Sequence, residues 1–268
     1  MSDDESLLEL ARSTAHEAAV LIRDLRPEGR VDVAATKTSP TDAVTDVDTA
    51  AEQLIRDRLG AVRPDDGFVG EEGERQSGSS GVDWVIDPID GTVNFVYGVP
   101  AYAVSIGIEV DGVARAGVVV DVPLGIEYSG LLGVGAWRRD HAEGPATRLR
   151  AASSSDLSQA LIATGFGYDP AQRARQAAAV GIMITRIRDI RRFGSAALDL
   201  CSLASGRIDG YVEEGLQPWD RAAGVLIARE AGAIVSGLDS DEPDERLVVA
   251  ATPGLFDAFR TLVAECGF

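Results

Sequence analysis

The sequence predicts a mixed fold of the α+β and α/β classes, organised as a single unit of 268 residues. In the first half, about residues 1–150, segments with helical apolar spacing are followed by hairpin strands, as in α+β proteins. In the second half, about residues 151–268, short apolar strands alternate with helical segments, as in α/β proteins. We find no internal repeat, so we expect one unit built from two differently organised halves.

The prediction for the first half rests on two helices and one hairpin. Residues 5–26 place their apolar side chains on one helical stripe, and a second helix follows the sequence Thr45-x-x-Asp48, which matches a capping box. Residues 101–122 are two β-branched runs separated by Asp111-Gly112, a typical two-residue hairpin turn. The other predicted pieces are a strand at 125–129, further strands through Trp137, a charged loop at 138–147 and a mobile polar loop at 74–82.

In the second half, predicted strands and helices are interleaved along the chain. Strands are expected at 160–164, 208–213, 233–235 and 247–250. Helices are expected at 170 to about 188, 195 to about 205, 218–231 and 253–265. This order indicates layers of helices packed against a sheet.

The composition excludes several functional classes. A formal net charge of −18 would repel nucleic-acid phosphates and anionic membranes, so we expect neither as a partner. It would also repel a small phosphorylated substrate unless bound cations reversed the field locally. The chain has two cysteines and two histidines, which supports neither a disulfide framework nor a Ser–His–Asp hydrolase. With no signal sequence and no apolar run of about 18 residues, we expect a soluble cytoplasmic protein.

The stretch from Trp84 to Phe95 carries the strongest chemical signal. Its apolar beginning predicts a buried strand that stops at Asp87-Pro88, and a second acid follows at Asp90. Two carboxylates three positions apart repel each other unless a cation lies between them, and Mg²⁺ prefers such hard oxygen ligands. Thr92 adds a hydroxyl, and a helix beginning at Gly91-Thr92 would point free N–H groups at a phosphate. The alternative is that both acids only cap a turn.

Three further acids have a structural and a chemical interpretation. Glu71, in the sequence Gly70-Glu-Glu-Gly73, is either solvated or a metal ligand, with the glycines allowing close approach of the ion. Asp48 is either a helix-capping acid or part of a site. Asp220, in the sequence QPWDRAAG, either favours the dipole at a helix N-terminus or is held ionised there to bind a cation.

Taken together, GEE at 70–72, DPIDGTVNF at 87–95 and PWDRAAG at 218–224 resemble the inositol monophosphatase family, in its SuhB-like bacterial branch. This family belongs to a magnesium-dependent, lithium-sensitive phosphatase superfamily that includes fructose-1,6-bisphosphatases. The resemblance extends from about Lys37 to Gly237. It implies a layered αβαβα sandwich with the active site between the two halves, two or three Mg²⁺ ions, inhibition by Li⁺ and a homodimer.

The resemblance also implies roles for individual residues. Thr92 and Asp48 would orient the attacking water, with Lys37 nearby, and Glu71 and Asp90 complete the expected catalytic set. The implied metal ligands are Glu71, Asp87, the backbone carbonyl of Ile89, Asp90 and Asp220. The implied substrate contacts are Gly91, Thr92, Gly194, Ser195, Ala196, Glu213 and Asp220.

The leading substrate hypothesis is inositol 1-phosphate, because Asn94-Phe95 follows the DGTV sequence as in the inositol-phosphatase branch. The alternatives are fructose 1,6-bisphosphate, histidinol phosphate and 3′-phosphoadenosine 5′-phosphate. A bisphosphate would need extra cations, for which Arg191, Arg192 and Arg221 are candidates. A hypothesis of a different class is a regulatory binding partner with secondary phosphatase activity, although no ligand of the motif is replaced.

Overall fold

The computed structural model describes residues 3–27, 29–31, 33, 35–36 and 43–268. Within these residues the chain forms seven α-helices and fourteen strands. The helices are α1 (Asp3–Leu25), α2 (Asp46–Val62), α3 (Thr92–Tyr97), α4 (Pro170–Met183), α5 (Ala196–Ala204), α6 (Pro218–Glu230) and α7 (Phe256–Cys266). The strands are β1 (Ala35–Thr36), β2 (Ala43–Val44), β3 (Gly67–Gly70), β4 (Val82–Asp90), β5 (Ala103–Val110), β6 (Val113–Asp121), β7 (Ile126–Leu131), β8 (Gly135–Arg139), β9 (Thr147–Arg148), β10 (Leu161–Thr164), β11 (Asp189–Arg191), β12 (Gly210–Glu213), β13 (Ile234–Ser236) and β14 (Val248–Ala251).

Two mixed sheets and three layers of helices give the αβαβα order that the resemblance implied. The helices α1 and α2 pack on one face of the larger sheet, and α5 and α6 lie between the two sheets. The helices α4 and α7 cover the outer face of the smaller sheet. Each interface between layers is filled by its own cluster of buried apolar side chains. The fold prediction is therefore confirmed.

The larger sheet has the strand order β3-β4-β5-β6-β7-β8-β9 and is antiparallel except for the parallel pair β3–β4. Helix α1 is amphipathic and buries its stripe of small and branched residues against this sheet and α2. The predicted hairpin is confirmed, since β5 and β6 pair around Asp111-Gly112. The capping box of α2 is also confirmed, with Thr45 and Asp48 exchanging hydrogen bonds.

The smaller sheet has the strand order β11-β10-β12-β14-β13, with β11, β10 and β12 parallel and the other pairs antiparallel. The helix predicted to run from 170 to about 188 ends earlier, at Met183. The chain turns there because residues 189–191 pair with β10 as the edge strand β11, which was not predicted.

Small residues allow α6 to lie close against the larger sheet. A Cβ atom at Gly117 would lie 2.8 Å from the Cα atom of Ala223, and one at Gly107 would lie 2.7 Å from the Cβ atom of Ala222. Both contacts are tighter than van der Waals packing allows, so the glycines are needed for this approach. The approach brings the first turn of α6, with Asp220, near β4.

The predicted end of β4 at Asp87-Pro88 is wrong. The strand continues to Asp90, and the register against β5 shifts by one residue between Asp87 and Asp90. Such a bulge accommodates Pro88, which has no N–H to donate to the ladder.

Some sequence-based expectations are left open by this architecture. The segment 74–81 is exposed, as expected for a surface loop, but its mobility stays a prediction. The division into halves near residue 150 also stays a prediction, although the larger sheet spans residues 67–148 and the smaller one residues 161–251.

Lys37 lies outside the described residues. None of the described helices is long and apolar enough to cross a membrane.

Candidate active site

A cavity of about 940 Å³ opens where the end of β4 meets the first residues of α3, α5 and α6. These elements bring together the three sequence motifs, although the motifs are far apart in the chain. The predicted site residues that line the cavity are Glu71, Asp87, Ile89, Asp90, Gly91, Thr92, Gly194, Ser195, Ala196, Glu213 and Asp220. The predicted residues are therefore neighbours in space, with Asp48 lying immediately behind Thr92.

Three carboxylates form the centre of the site. Each of Asp87, Asp90 and Asp220 offers an oxygen atom, and the three atoms lie within 4.8 Å of one another. Glu71, at the end of β3, is within hydrogen-bonding reach of Asp87 and lines the same cavity. The backbone supports this arrangement, since the amide of Ile89 donates to Oδ1 of Asp87 at 3.0 Å.

Asp90 is held by the first turn of α5. The hydroxyl of Ser195 donates to Oδ2 of Asp90 at 2.6 Å, and the amide of Ala197 donates to the same oxygen at 2.7 Å. The amide of Ala196 donates to Oδ1 at 3.3 Å. Free N–H groups at a helix N-terminus favour an anion. Helix α5, from the second half of the chain, therefore orients Asp90, which belongs to the first half.

Asp220 caps a helix and also lies in the acid cluster. As the third residue of α6, it accepts a hydrogen bond of 2.7 Å from the amide of Gln217, so it caps the helix. One of its carboxylate oxygens also lies within 4.8 Å of oxygens of Asp87 and Asp90. Asp48 likewise caps α2 and also contacts the site. For these acids the structural interpretation is confirmed, and the chemical interpretation stays a prediction.

The acid cluster is electrostatically unfavourable without a cation. Burial, followed by the charge of Glu71, raises the pKa of Asp87 well above its ordinary value. Burial and the charge of Asp90 do the same to the pKa of Asp220. Burial raises the pKa of Asp90 to about 6, in spite of the hydrogen bond from Ser195. A set of hard oxygen donors that resist ionisation together fits a divalent cation such as Mg²⁺.

A hydrogen-bonded pair lies beside this cluster. The Oγ1 atom of Thr92 is 3.2 Å from Oδ1 of Asp48 and 3.1 Å from the carbonyl oxygen of Ile89, and its single proton can go to either. Burial raises the pKa of Asp48 to about 6. Gly91 makes this geometry possible: its φ of 99° is strained for other residues, and a Cβ atom would lie 2.9 Å from the carbonyl oxygen of Ala101.

Glu213 also lines the cavity and is the last residue of β12. The hydroxyl of the buried Tyr211 donates to its Oε2 atom at 2.7 Å, and burial raises the pKa of Glu213 to about 7. A Cβ atom at Gly165 would overlap the Glu213 carboxyl group, so glycine is needed there. Glu213 is thereby placed to accept hydrogen bonds from a ligand in the cavity.

One wall of the cavity was missed by sequence reasoning. The loop that follows β10 contributes Phe166, Gly167, Tyr168 and Asp169, and the first turn of α4 contributes Gln172 and Arg173. Their only signal in the sequence is their position at the carboxyl end of a strand, where ligands bind in open α/β sheets.

The three arginines proposed for a second phosphate are not equivalent. Arg192 lines the cavity. Arg191 instead pairs with Asp189 at 2.7 Å, and Arg221 donates to the carbonyl oxygen of Pro243 at 3.1 Å. The described residues that line the cavity do not include Asn94. Its side-chain amide donates to the carbonyl oxygen of Phe193 at 2.7 Å and so links α3 to the segment that precedes α5.

Comparisons with known proteins agree with this geometry. The model of the inositol monophosphatase family matches residues 3–266. A protein of Mycobacterium leprae named inositol-1-monophosphatase is 48% identical over 273 residues, covering 96% of this chain and 93% of its own length. A protein of Pasteurella multocida named Nus factor SuhB is 38% identical over 243 residues, covering 89% of each chain. The solved structure of Mycobacterium tuberculosis SuhB is similar with a TM-score of 0.85 at 44% identity, covering 100% of this chain and 99% of that one.

Proposed function

The chain belongs to the inositol monophosphatase family of phosphatases, and from this premise we propose that it is a Mg²⁺-dependent hydrolase of sugar or polyol phosphate monoesters. The observation that carries the proposal is the cluster of Asp87, Asp90 and Asp220 beside the Thr92–Asp48 pair. An acidic protein surface alone would not bring buried carboxylates and a hydroxyl group together in one cavity.

The proposed ligands for two or three Mg²⁺ ions are Glu71, Asp87, the carbonyl oxygen of Ile89, Asp90 and Asp220. When bound there, Mg²⁺ would offset the charge of the phosphate group and lower the pKa of a water molecule. Li⁺ is proposed as an inhibitor of the same site.

Thr92 and Asp48 are proposed to orient the attacking water. When Thr92 donates its proton to Oδ1 of Asp48, a lone pair of Oγ1 is free to accept a hydrogen bond from water. A water held in this way would be positioned to attack the phosphorus atom of a substrate bound in the cavity. Both side chains are fixed, since Asp48 also accepts the backbone amide of Thr45 at 2.9 Å. Such positioning is the main contribution that a protein makes to phosphoryl transfer.

The substrate is proposed to lie between the acid cluster and Glu213. Gly91 and Thr92 would contact the phosphate group, and Glu213, Asp220 and the backbone of Gly194 and Ala196 would contact hydroxyl groups of the polyol. The Ser195 hydroxyl donates a hydrogen bond to Asp90. We therefore propose that Ser195 affects substrate binding by orienting the Asp90 carboxylate.

Inositol 1-phosphate is the proposed substrate, in agreement with the name of the similar Mycobacterium leprae protein. The test is phosphate release from a panel containing inositol 1-phosphate, fructose 1,6-bisphosphate, histidinol phosphate and 3′-phosphoadenosine 5′-phosphate. The highest kcat/KM for inositol 1-phosphate would support the proposal. A higher kcat/KM for another member would keep the reaction and replace the substrate, whereas no turnover of any member would contradict the proposal.

A second candidate role is regulatory binding, because a similar protein is named Nus factor SuhB. Capture of one stoichiometric protein partner from a lysate, equally by the wild type and by Asp90→Asn, would favour this role. We also propose a cytoplasmic homodimer, which sedimentation of the purified protein and fractionation of cells would test.

A further inference from the structure

A buried carboxylate outside the predicted site binds the loop that carries Glu71. Glu52 lies on α2 and is 2% exposed. Its Oε2 atom accepts the amide of Glu72 at 2.8 Å, and its Oε1 atom accepts the amide of Gly73 at 2.9 Å. Both carboxylate oxygens thus bind the backbone directly after Glu71.

The two glycines of the loop are explained by this contact. A Cβ atom at Gly70 would overlap Oε1 of Glu52, and one at Gly73 would lie 2.7 Å from the same oxygen. The sequence suggested that these glycines admit a metal ion close to the backbone. In the structure they admit the carboxylate of Glu52.

Arg56 fixes the carboxylate from the other side. It lies one helical turn after Glu52, and its Nε atom donates to Oε1 at 2.7 Å. Its guanidinium group also lies 5.6 Å from the ring centre of Phe68 on β3. Phe68 and Gln76 in turn exchange backbone hydrogen bonds of 2.8 and 2.9 Å, which close the loop around Glu71.

The same helix holds the Thr92–Asp48 pair. Asp48 precedes Glu52 by four residues, so both side chains project from one face of α2. Asp48 contacts Thr92, whereas Glu52 contacts the backbone of residues 72–73. Helix α2 therefore sets the distance between the Glu71 loop and Thr92.

We propose that Glu52 is a positioning residue, which with Arg56 holds Glu71 in place to bind a divalent metal ion. This inference rests on the proposed function of Glu71 as a metal ligand. Groups that orient metal ligands typically contribute about 10–100-fold to metal affinity. A loop held in advance also avoids the entropy cost of ordering it when the ion binds.

The test uses Glu52→Gln, which keeps the size of the side chain but replaces one acceptor oxygen by an N–H donor. Mg²⁺ binding to the purified protein is measured by titration calorimetry, and exchange of the amides of residues 70–73 is measured by mass spectrometry without metal. We expect Mg²⁺ affinity to fall about 10–100-fold and amide exchange to become faster. At saturating Mg²⁺, kcat is expected to return to within about threefold of the wild type, because the ion itself then holds the loop.

Two further variants make the result specific. Glu17→Gln removes an exposed ion pair of 2.7 Å with Arg58 and should leave Mg²⁺ affinity unchanged. Gly73→Ala pushes the carboxylate away while Glu52 itself remains, so it tests the contact even where Glu52→Gln fails to fold. It is expected to weaken Mg²⁺ binding as well.

Unchanged Mg²⁺ affinity in either folded variant, Glu52→Gln or Gly73→Ala, would overturn the positioning role. A wild type that binds no Mg²⁺ would instead overturn the proposed metal site itself, and the positioning role with it. The two failures are therefore distinguishable.

Discussion

The hydroxyl of Ser195 donates a hydrogen bond of 2.6 Å to Oδ2 of Asp90, across 105 positions of the chain. The same hydroxyl oxygen accepts the amide of Leu198 at 3.3 Å and so caps α5. One side chain therefore joins the helix between the two sheets to the acid cluster at the end of β4. The orientation of Asp90 depends on the packing of both sheets around that helix.

Replacing Ser195 should weaken metal binding without abolishing the fold. Ser195→Ala removes one of the donors that orient Asp90, so we expect about 10-fold more Mg²⁺ to be needed for half-maximal phosphate release. Ser195→Thr keeps the hydroxyl and is expected to stay within about threefold of the wild type. An equal loss in both variants would show that side-chain size, and not the hydrogen bond, is what matters at this position.

Asp90→Asn tests the acid cluster itself. The variant keeps one acceptor oxygen but loses the charge, so kcat/KM for phosphate release should fall by about 100-fold or more. The variant should remain folded without metal, because removal of a buried charge next to Asp87 offsets the acceptor oxygen that the donors of α5 lose. Asp239→Asn, at an exposed position outside the cavity, is the matched control. Near-normal phosphate release by Asp90→Asn would contradict the assignment.

Thr92 should affect turnover more than metal affinity. Thr92→Val removes the hydroxyl that contacts Asp48 while keeping the shape, so we expect kcat to fall about 100-fold with the Mg²⁺ requirement unchanged. Thr92→Ser retains the hydroxyl and should keep most of the activity. A Thr92→Val variant that lost Mg²⁺ affinity instead would place the hydroxyl among the groups that hold the metal.

A prediction outside the site concerns Glu127, whose side chain is fully buried on β7. It pairs with Arg12 at 2.7 Å, His16 at 2.9 Å and Arg139 at 2.9 Å. His16 therefore contacts a buried carboxylate. In spite of burial, the hydrogen bonds from His16 and Arg12 lower the pKa of Glu127 to about 2. The unfolded chain therefore binds more protons than the folded one between about pH 4.5 and pH 2.

Glu127→Gln should consequently destabilise the protein in a pH-dependent way. The lowered pKa of Glu127 corresponds to about 3 kcal/mol of unfolding free energy at pH 7, and this contribution is lost as the pH falls from about 5 to about 2. Chemical denaturation of both proteins across this range measures the difference. A difference between wild type and variant that stayed constant with pH would contradict the role of the charge.

The sequence predicted those parts of the site that lie within short motifs. Asp87, Asp90 and Thr92 each stand beside a proline or glycine, and Asp220 follows Pro218 by two residues, so the local sequence marked them as candidates. The resemblance of the combined motifs to the family then favoured the chemical interpretation over the structural one. The hairpin at Asp111-Gly112 was likewise predictable from the local sequence.

Contacts between distant segments could not be predicted in this way. The link from Ser195 to Asp90 and the binding of residues 72–73 by Glu52 depend on how helices pack on the sheets, which no short pattern records. The edge strand β11 was missed because it has three residues and carries two charged side chains, which resembles a loop. The end of β4 was misplaced because Pro88 is normally a strand terminator, and the bulge that accommodates it depends on pairing with β5.

The most direct test of the proposed function is phosphate release from inositol 1-phosphate by the purified wild type as Mg²⁺ is titrated from a chelated start. The acid cluster predicts no measurable turnover in chelator and a saturable increase as Mg²⁺ is added. Turnover that was equally fast in chelator and in Mg²⁺ would contradict the account.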